Sequence, residues 1–331
     1  MEFHLLPQKA DTTVFEGEGG AYYAWTAAKT PVVSEVAIGA GKLVLQPRGF
    51  ALPHCADTYK IGYVVQGCCT VGLVLPNNPE ERVVIITDGD AIPLSVDTIS
   101  WWFNGGDSDV TIMLIGESRN SYTPGLFDYF FLTGAVGILN GFSTEFISKI
   151  YHLSAAQSEE LVKSQPNPVI AKIDAAIYMP NKPNCKKEEY VISIVGGLGF
   201  VNSPLLDKIG LSPSLVRVEP ETVLDPSYGM EHRIIYVTKG EGRIQIVGLN
   251  GTPALDGSVE EGQLVVVPKF FAVALLAAHN GLEFFCVSTS SRPSLVQIAG
   301  KTSAYKAMSS SVLQASVNVS PEFVKIFKSK L

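Results

Sequence analysis

The sequence is poor in charge and in histidine, and it has no long uninterrupted apolar run. Only 17% of its 331 residues are charged, five are histidines, and the net charge is -7. Phosphate binding requires clustered lysine and arginine, so we expect no nucleic-acid partner. Proline and glycine interrupt the longest apolar stretches, which predicts no membrane span. The segment Met1–Pro7 lacks the basic start and apolar run of a secretory signal, so we expect a cytoplasmic protein.

The five cysteines show no spacing typical of a metal or redox site, at Cys55, Cys68, Cys69, Cys185 and Cys286. The adjacent pair at 68 and 69 should point to opposite faces of a strand. Free thiols in a reducing compartment are therefore expected. Hydrophobic residues make up 46% of the chain, enough to bury large cores, which indicates a folded rather than a disordered protein.

An internal repeat organises the chain. Gly67 and Gly240 lie 173 residues apart, and the same shift aligns other landmarks over about fifty residues without a gap. The further aligned pairs are Leu43 with Val216, Pro47 with Pro220, Tyr63 with Tyr236, and Gly89 with Gly262. The repeated unit contains short runs rich in β-branched and aromatic residues, each closed by glycine. This pattern predicts two related β-domains, each a sandwich or barrel.

Helical segments follow each repeat. Ser154 with Gln157 predicts a capped helix start, and Ser320 with Pro321 predicts another near the end of the chain. A stretch rich in proline and asparagine separates the halves. We therefore expect one domain over residues 1–178 and a second over residues 179–331.

Several motifs resemble those of the cupin superfamily, and within it the plant bicupins related to legumin-type seed globulins. They are Tyr63–Gly67, Tyr236–Gly240, the Gly262-to-Pro268 spacing, the helix start at Gly141, Thr133–Ile138, Trp101–Asn104 and Gln245–Gly248. The resemblance covers nearly the whole chain. It implies a mainly β protein of two tandem cupin (jelly-roll) β-barrels, each followed by a short helical tail. The nearest likeness is to intracellular plant bicupins of about this length.

Metal-binding cupins carry a His pair, a Glu and a third His in each barrel, and the resemblance implies where these would fall. The Glu position is occupied by Lys60 in the first barrel and by Arg233 in the second. The His pair falls at Pro53 and Cys55, or at His54 and Ala56 if the spacing is one residue shorter. In the first barrel, Ser100 replaces the third His and Asn104 matches the family's Asn. In the second barrel, Val273 replaces the third His, and the His pair falls at Pro226 and Tyr228, or at Ser227 and Gly229 if the spacing is one residue shorter. A cation at the Glu position repels a divalent metal, so we expect neither a metal nor another cofactor.

The first barrel keeps polar groups at these positions, which makes it the candidate site. Lys60 shares a strand face with Gly62, and a lysine inside an apolar barrel would have a lowered pKa suited to acid–base or imine chemistry. Alternatively, Lys60 reaches solvent or pairs with Asp57. His54 is a candidate general base near Ser100, or a hydrogen-bonded loop histidine.

Lys60, His54 and Ser100 are thus the predicted catalytic residues. The predicted substrate contacts are Cys55, Tyr63, Trp101, Trp102 and Asn104. Consecutive aromatic residues face alternately inwards and outwards, so at least one tryptophan should line the cavity or the boundary between barrels. Asn104 can equally cap its own turn.

The second barrel is expected to be mainly structural. Val273 and Ala277 replace polar positions there. Arg233 has Glu231 two residues earlier on the same strand face, so an internal ion pair is the simplest expectation.

The favoured functional hypothesis is a metal- and cofactor-free plant isomerase or cyclase acting on a small apolar carbonyl or enol compound, such as a terpenoid aldehyde, in the first barrel. The alternatives are a non-enzymatic small-ligand-binding bicupin and a storage-like bicupin. Storage is disfavoured because the chain has only nine glutamines and lacks a signal. Besides a small apolar metabolite, the expected partner is a second copy of the chain, because amphipathic tail pairs such as Phe146 and Ile150 need a partner face. A homo-dimer or homo-trimer is predicted.

Overall fold

The structure is a computed structural model that describes residues 3–166, 168–194, 196–197 and 199–331. The chain forms two compact units. The first unit runs from Ala10 through the short strand Ile192–Ser193 and adds Ser203–Leu211; the second contains the segment ending at Lys9, Gly196–Asn202 and Ser212–Leu331. The domain boundary predicted between residues 178 and 179 stays a prediction.

The first unit is built from thirteen strands and four helices among its described residues. Its strands are β1 (Thr12–Gly17), β2 (Gly20–Ala24), β3 (Ile38–Leu45), β4 (Gly49–Ala56), β5 (Tyr59–Gln66), β6 (Cys68–Val74), β7 (Arg82–Thr87), β8 (Asp90–Leu94), β9 (Ile99–Phe103), β10 (Val110–Glu117), β11 (Tyr129–Phe131), β12 (Ile170–Lys172) and β13 (Ile192–Ser193). Its helices are α1 (Val32–Glu35), α2 (Thr144–Tyr151), α3 (Ala155–Lys163) and α4 (Pro204–Asp207).

Two antiparallel sheets of the first unit enclose its core. One sheet has the order β1-β2-β3-β10-β5-β8-β13, and the other has the order β11-β4-β9-β6-β7, with β12 added beside β4. Alternation along each strand sends every second side chain into the space between the sheets. Leu45, Val64 and Ile112 from the first sheet share this core with Val71 and Trp102 from the second.

The second unit has seven strands and three helices among its described residues. These are β14 (Ser212–Val218), β15 (Val223–Gly229), β16 (Arg233–Val247), β17 (Pro253–Glu260), β18 (Leu264–Val267), β19 (Ala272–Ser288), β20 (Leu295–Gln297), α5 (Ala304–Ala307), α6 (Ser310–Val317) and α7 (Pro321–Lys330). The sheet order is β17-β16-β19-β15-β20, with β14 paired to β19 and β18 paired to β16. Near the start of the chain, Gln8 forms an isolated bridge with Leu264 of this unit.

The 173-residue repeat is visible in the backbone. Lys60 lies opposite Leu94 in the β5–β8 ladder, and Arg233 lies opposite Val267 in the β16–β18 ladder, so both partners are related by the same shift. The closing glycines adopt matching left-handed conformations, with φ of 94° at Gly67 and 80° at Gly240. A residue with a Cβ is strained there, which explains why both repeats have glycine. The predicted mainly β, tandem jelly-roll architecture is confirmed.

Helical tails follow the strands of both units, as predicted. Ser154 and Gln157 form a complete capping box at the start of α3. Ser320 caps α7 by accepting a hydrogen bond from the backbone N–H of Phe323, and proline occupies the first turn. These caps satisfy backbone donors that a helix start otherwise leaves unpaired. No helix in the described ranges is both long and apolar enough to cross a membrane.

Candidate functional site

Lys60 lies inside the first unit. Its position on β5 shares a face with Gly62, whose missing side chain leaves space filled by Ile92 and Trp102. Only 3% of the lysine side chain is exposed. The ammonium lies 4.2 Å from the ring centre of Tyr129 and 5.2 Å from that of Phe127. The side chain therefore neither reaches solvent nor pairs with Asp57 within ion-pair distance.

The surroundings of Lys60 favour its neutral form. Nζ has no hydrogen-bond partner among the described residues. Burial lowers the pKa of Lys60 from 10.5 to about 7, while Asp57 and Cys55 exert a smaller opposing effect. Desolvation dominates because an ammonium without hydrogen bonds loses most of its hydration free energy, and the two aromatic faces return only part of it.

His54 is also buried, and its tautomer follows from its partner. Nδ1 lies 2.7 Å from the carbonyl oxygen of Leu52. A carbonyl can only accept, so Nδ1 carries the proton in the neutral ring and Nε2 is left as the acceptor nitrogen. Burial and, to a lesser degree, the charge of Lys60 lower the pKa of His54 from 6.5 to about 4. The ring is thus neutral at physiological pH.

A small apolar cavity lies beside His54. It measures about 30 Å³ and is lined by Phe15, Tyr22, Leu43, Ala51, His54, Trp102, Leu114, Tyr129, Phe131, Val169 and Ile170. The hydroxyl of Tyr129 donates to that of Tyr22 at 2.9 Å, and burial raises the pKa of both phenols. Pockets for small organic ligands typically measure about 300–1,000 Å³. The cavity has room for about one water molecule.

The structure brings together only some of the predicted site residues. Ser100 is the cross-strand neighbour of His54, but its hydroxyl accepts from Nε1 of Trp102 at 3.1 Å. Trp102 lines the cavity, whereas Trp101 lies on the other face of β9 and donates to Glu81 at 2.5 Å. Of the two tryptophans, only Trp102 therefore faces the predicted site.

The other three predicted contacts lie elsewhere. Cys55 follows His54 on β4, is half-buried, and places Sγ 4.0 Å from the carbonyl oxygen of Phe130. Tyr63 is on the face of β5 opposite to Lys60, as strand alternation requires. Asn104 is fully buried and caps its turn, with its amide donating to the carbonyls of Leu45 and Ser108 at 2.8 Å each. The catalytic and substrate-binding roles assigned to the eight residues stay a prediction.

Sequence reasoning missed the aromatic residues of the cavity beside His54, one of which, Tyr129, also lies against Lys60. Tyr22, Tyr129 and Phe131 lie outside the repeated segment, so the 173-residue alignment gave no reason to select them. The run Tyr129–Phe131 is the one signal in the sequence: three consecutive aromatic residues predict a strand, on which Tyr129 and Phe131 share a face.

Arg233 occupies the position of Lys60 in the second unit but is bonded differently. Its guanidinium donates to the side-chain oxygen of Ser227 at 3.1 Å, to the carbonyl of Ser227 at 3.0 Å and to that of Phe271 at 3.4 Å. Among the described residues it has no carboxylate within ion-pair distance. The expected ion pair with Glu231 is therefore wrong, because neutral oxygens of β15 and of the loop before β19 reach the guanidinium instead.

The second unit contains a much larger cavity, of about 450 Å³. The expectation that this barrel is mainly structural did not foresee it. Arg233 and Ser227 form part of the buried end, Val273 and Leu275 belong to the apolar wall, and Lys301 stands at the exposed end. The substitution of small and apolar residues at the former ligand positions leaves space here, whereas bulky aromatic rings fill the equivalent space of the first unit.

No cluster of three or more His, Cys, Asp or Glu side chains in the described part of the chain is placed to hold a metal ion. In the first unit, His54 and Lys60 share the former ligand region with aromatic rings and Ser100. A donor set of one imidazole and one amine does not fit a divalent metal site.

Two consecutive jelly-roll units with helical tails, related by an internal repeat, define a bicupin. The cupin family profile matches residues 5–159 and 192–325. This chain belongs to the cupin family, and it is a bicupin related to legumin-type seed globulins.

Curated relatives and solved structures extend the comparison. The chain is 20% identical to glutelin type-D 1 of Oryza sativa subsp. japonica, over 86% of this chain and 77% of the glutelin. It is 24% identical to cocosin 1 of Cocos nucifera, over 84% of this chain and 76% of cocosin. The crystal structure of procruciferin, an 11S globulin from Brassica napus, matches with a TM-score of 0.90 at 21% identity, covering 99% and 95% of the two chains. At this identity the structural match shows the fold.

These relatives correct two predictions. The isomerase or cyclase of small carbonyl compounds is wrong as the main functional hypothesis, because the relatives are seed storage globulins and favour the non-enzymatic alternative. The cytoplasmic location is wrong as well, because the seed storage globulins to which the chain is similar accumulate in protein storage vacuoles.

Proposed function

We propose that this chain is a storage-type bicupin, a non-enzymatic protein whose compact double jelly roll serves as a reserve of amino acids. The observation that supports this most is the similarity to seed storage globulins over more than four fifths of the chain. Tight packing at the predicted site of the first unit agrees with it, since the 30 Å³ cavity beside His54 offers no room for a substrate.

The storage proposal is tested by following the protein through seed development and germination. Quantitative immunoblots of fractionated seed tissue should find it concentrated with the storage-vacuole fraction, rising during seed filling and falling after germination. A leaf sample and a cytosolic enzyme serve as controls. A protein that is scarce in seeds, or that stays constant while other reserves are consumed, would contradict the proposal.

A homo-oligomer belongs to the same proposal. Several large apolar side chains of the tail helices are exposed in the single chain, among them Phe146 at 61%, Phe323 at 50% and Ile326 at 59%. Exposed apolar side chains at this density are typical of a covered surface. A second copy of the chain is the occupant we propose, in agreement with the oligomeric nature of the homologous globulins. Phe327 of α7, in contrast, packs on Tyr305 of the same chain, with their ring centroids 5.8 Å apart.

The predicted small apolar metabolite remains a secondary proposal for the first unit. His54 and Trp102 line an apolar space that would admit a ligand only if Phe131 or another aromatic ring moved. Titration with a fluorescent apolar probe such as anilinonaphthalene sulfonate, compared between the wild type and Trp102→Ala, tests it. No saturable signal in either protein would contradict it.

A further inference from the structure

The buried guanidinium of Arg233 has an unused hydrogen-bond donor. Only 6% of the side chain is exposed, and Nε has no hydrogen-bond partner among the described residues. The hydroxyl of Ser288, directly opposite Arg233 in the β16–β19 ladder, also lacks a partner. Buried donors without partners are rare in folded proteins. Two of them on neighbouring strands, on the same face of the sheet, therefore mark a place where a polar group is missing.

The charge of Arg233 also lacks a buried counterion. Burial lowers the pKa of Arg233, but a guanidinium stays protonated at neutral pH. Cys286 lines the same cavity, and burial raises the pKa of its thiol to about 12, so the thiol is neutral. Asp225, also among the lining residues, is exposed at the solvent end, where Lys301 is exposed too. The guanidinium is bonded only to neutral oxygens, and the half-buried Glu231 favours its charge without forming an ion pair. A buried cation without an ion-pair partner is destabilising, and a bound anion relieves that penalty.

The volume and the lining of the cavity indicate which kind of anion would fit it. Its volume is about 450 Å³, within the usual range of about 300–1,000 Å³ for small-molecule sites. Most of the buried wall is apolar, with Val273, Leu275 and Phe284 among its residues. A small inorganic anion would leave this wall uncovered. An organic anion with an apolar body would bury it and place one charged end at the guanidinium.

We propose that the cavity of the second unit binds a small organic carboxylate, with the carboxylate at Arg233 and the apolar body against Val273, Leu275 and Phe284. Arginine suits this role because its planar group bonds both oxygens of a carboxylate at once. Binding at this site is independent of the storage proposal, which rests on relatives and on the first unit.

Fluorine NMR titration with 4-fluorobenzoate tests the proposal, with neutral 4-fluorobenzamide as the comparison ligand. We expect saturable binding of the acid and at least about tenfold weaker binding of the amide, because the charge-assisted hydrogen bonds are lost. Arg233→Gln should weaken binding of the acid by at least about tenfold. Arg243→Gln is the matched control, since it changes an exposed arginine of the same strand that pairs with Asp256.

A second variant separates loss of binding from loss of folding. Val273→Phe fills part of the cavity and leaves the arginine in place, so it should also weaken binding of the acid while calorimetry shows a folded protein. Equal affinity for acid and amide, an equal effect of the Arg233 and Arg243 changes, or undiminished binding by Val273→Phe would each overturn the proposal. So would the absence of saturable binding of both 4-fluorobenzoate and the flexible acid 6,6,6-trifluorohexanoate.

Discussion

Lys60 and Arg233 occupy the same position of the repeated fold, and both cations are buried, with 3% and 6% of their surface exposed. Their surroundings differ. Lys60 faces two aromatic rings and has no hydrogen bond from Nζ, whereas Arg233 has three hydrogen bonds to oxygens of Ser227 and Phe271. The two units therefore accommodate a basic residue at the same strand position differently. In the first, burial in a packed core lowers the pKa of the amine to about 7; in the second, a charged guanidinium lies beside an open cavity.

The buried amine predicts an unusual pH dependence of stability. The pKa of Lys60 is about 7 in the folded chain, so between about pH 7 and 10 the unfolded chain binds one more proton than the folded chain. Stability should therefore rise with pH across this window, by at most about 1.4 kcal/mol per pH unit. Lys60→Met should remove this rise and be more stable than the wild type at pH 7. Calorimetry at several pH values measures the difference.

The control for this experiment is Lys149→Met, which changes a lysine whose side chain is 75% exposed. It should leave the pH dependence as it is in the wild type. If the stability difference between Lys60→Met and the wild type is the same at pH 7 and pH 10, the neutral buried amine is refuted.

The lowered pKa of His54 predicts a second pH range, below that of Lys60, in which the stability of the fold depends on pH. Its pKa of about 4 in the folded chain lies below that of an exposed histidine, so the unfolded chain binds the extra proton between about pH 4 and 6.5. The contribution of His54 to stability is complete above this window and is lost as the pH falls through it. Because the charge of Lys60 contributes to the lowered pKa, Lys60→Met should raise the pKa of His54. NMR titration of the imidazole protons measures both values, and an unchanged His54 in that variant would exclude the coupling.

The sequence was sufficient to predict what depends on periodicity. The shift of 173 residues, the glycines at 67 and 240, and the shared strand face of Lys60 and Gly62 all follow from the repeat, strand alternation and turn chemistry. Alternation alone left open whether that face points into the unit or towards solvent. Contacts between segments that are remote in sequence could not be predicted from it. The rings of Tyr22 and Tyr129 meet 107 residues apart, and the oxygen of Phe271 reaches Arg233 across 38 residues. Such contacts decide whether a barrel is filled or open, which is why the sequence did not predict the cavity of about 450 Å³ in the second unit.

The loss of metal ligands was a poor guide to function for a related reason. Replacement of His and Glu by Pro53, Lys60 and Ser100 is compatible with an altered enzyme and with a protein that has no reaction to catalyse. Only the volume left between the side chains distinguishes these cases, and volume depends on the packing of rings from outside the repeat.

The repeat also predicts how the second unit responds to substitution of its glycines. Gly240 has φ of 80°, and a Cβ there would lie 2.2 Å from the carbonyl oxygen of Gly281. Gly251 has a similar φ of 71° but open space around it. Gly251→Ala should cost about 1–2 kcal/mol, the usual penalty of the left-handed conformation. Gly240→Ala should cost about 1–3 kcal/mol more, because the backbone of the neighbouring strand must move. Urea denaturation of both variants measures this, and equal costs would show that the strand approach does not constrain this position.

We expect copies of the chain to associate through their tail helices, because large apolar side chains of these helices are exposed in the single chain. Phe146 on α2 and Phe323 on α7 are mostly exposed although both helices bury another apolar residue, Ile147 and Val324 respectively. A second copy that covers these rings would remove them from water, at about 25 cal/mol per Å² of apolar area. We expect light scattering to give a mass of at least twice 35.6 kDa for the wild type, and Phe146→Glu with Phe323→Glu to shift it towards the monomer. Ser329→Glu adds one negative charge to an exposed position of α7 and should leave the mass unchanged. A monomeric wild type, or a double variant that stays associated, would show that these rings do not form the contact between copies.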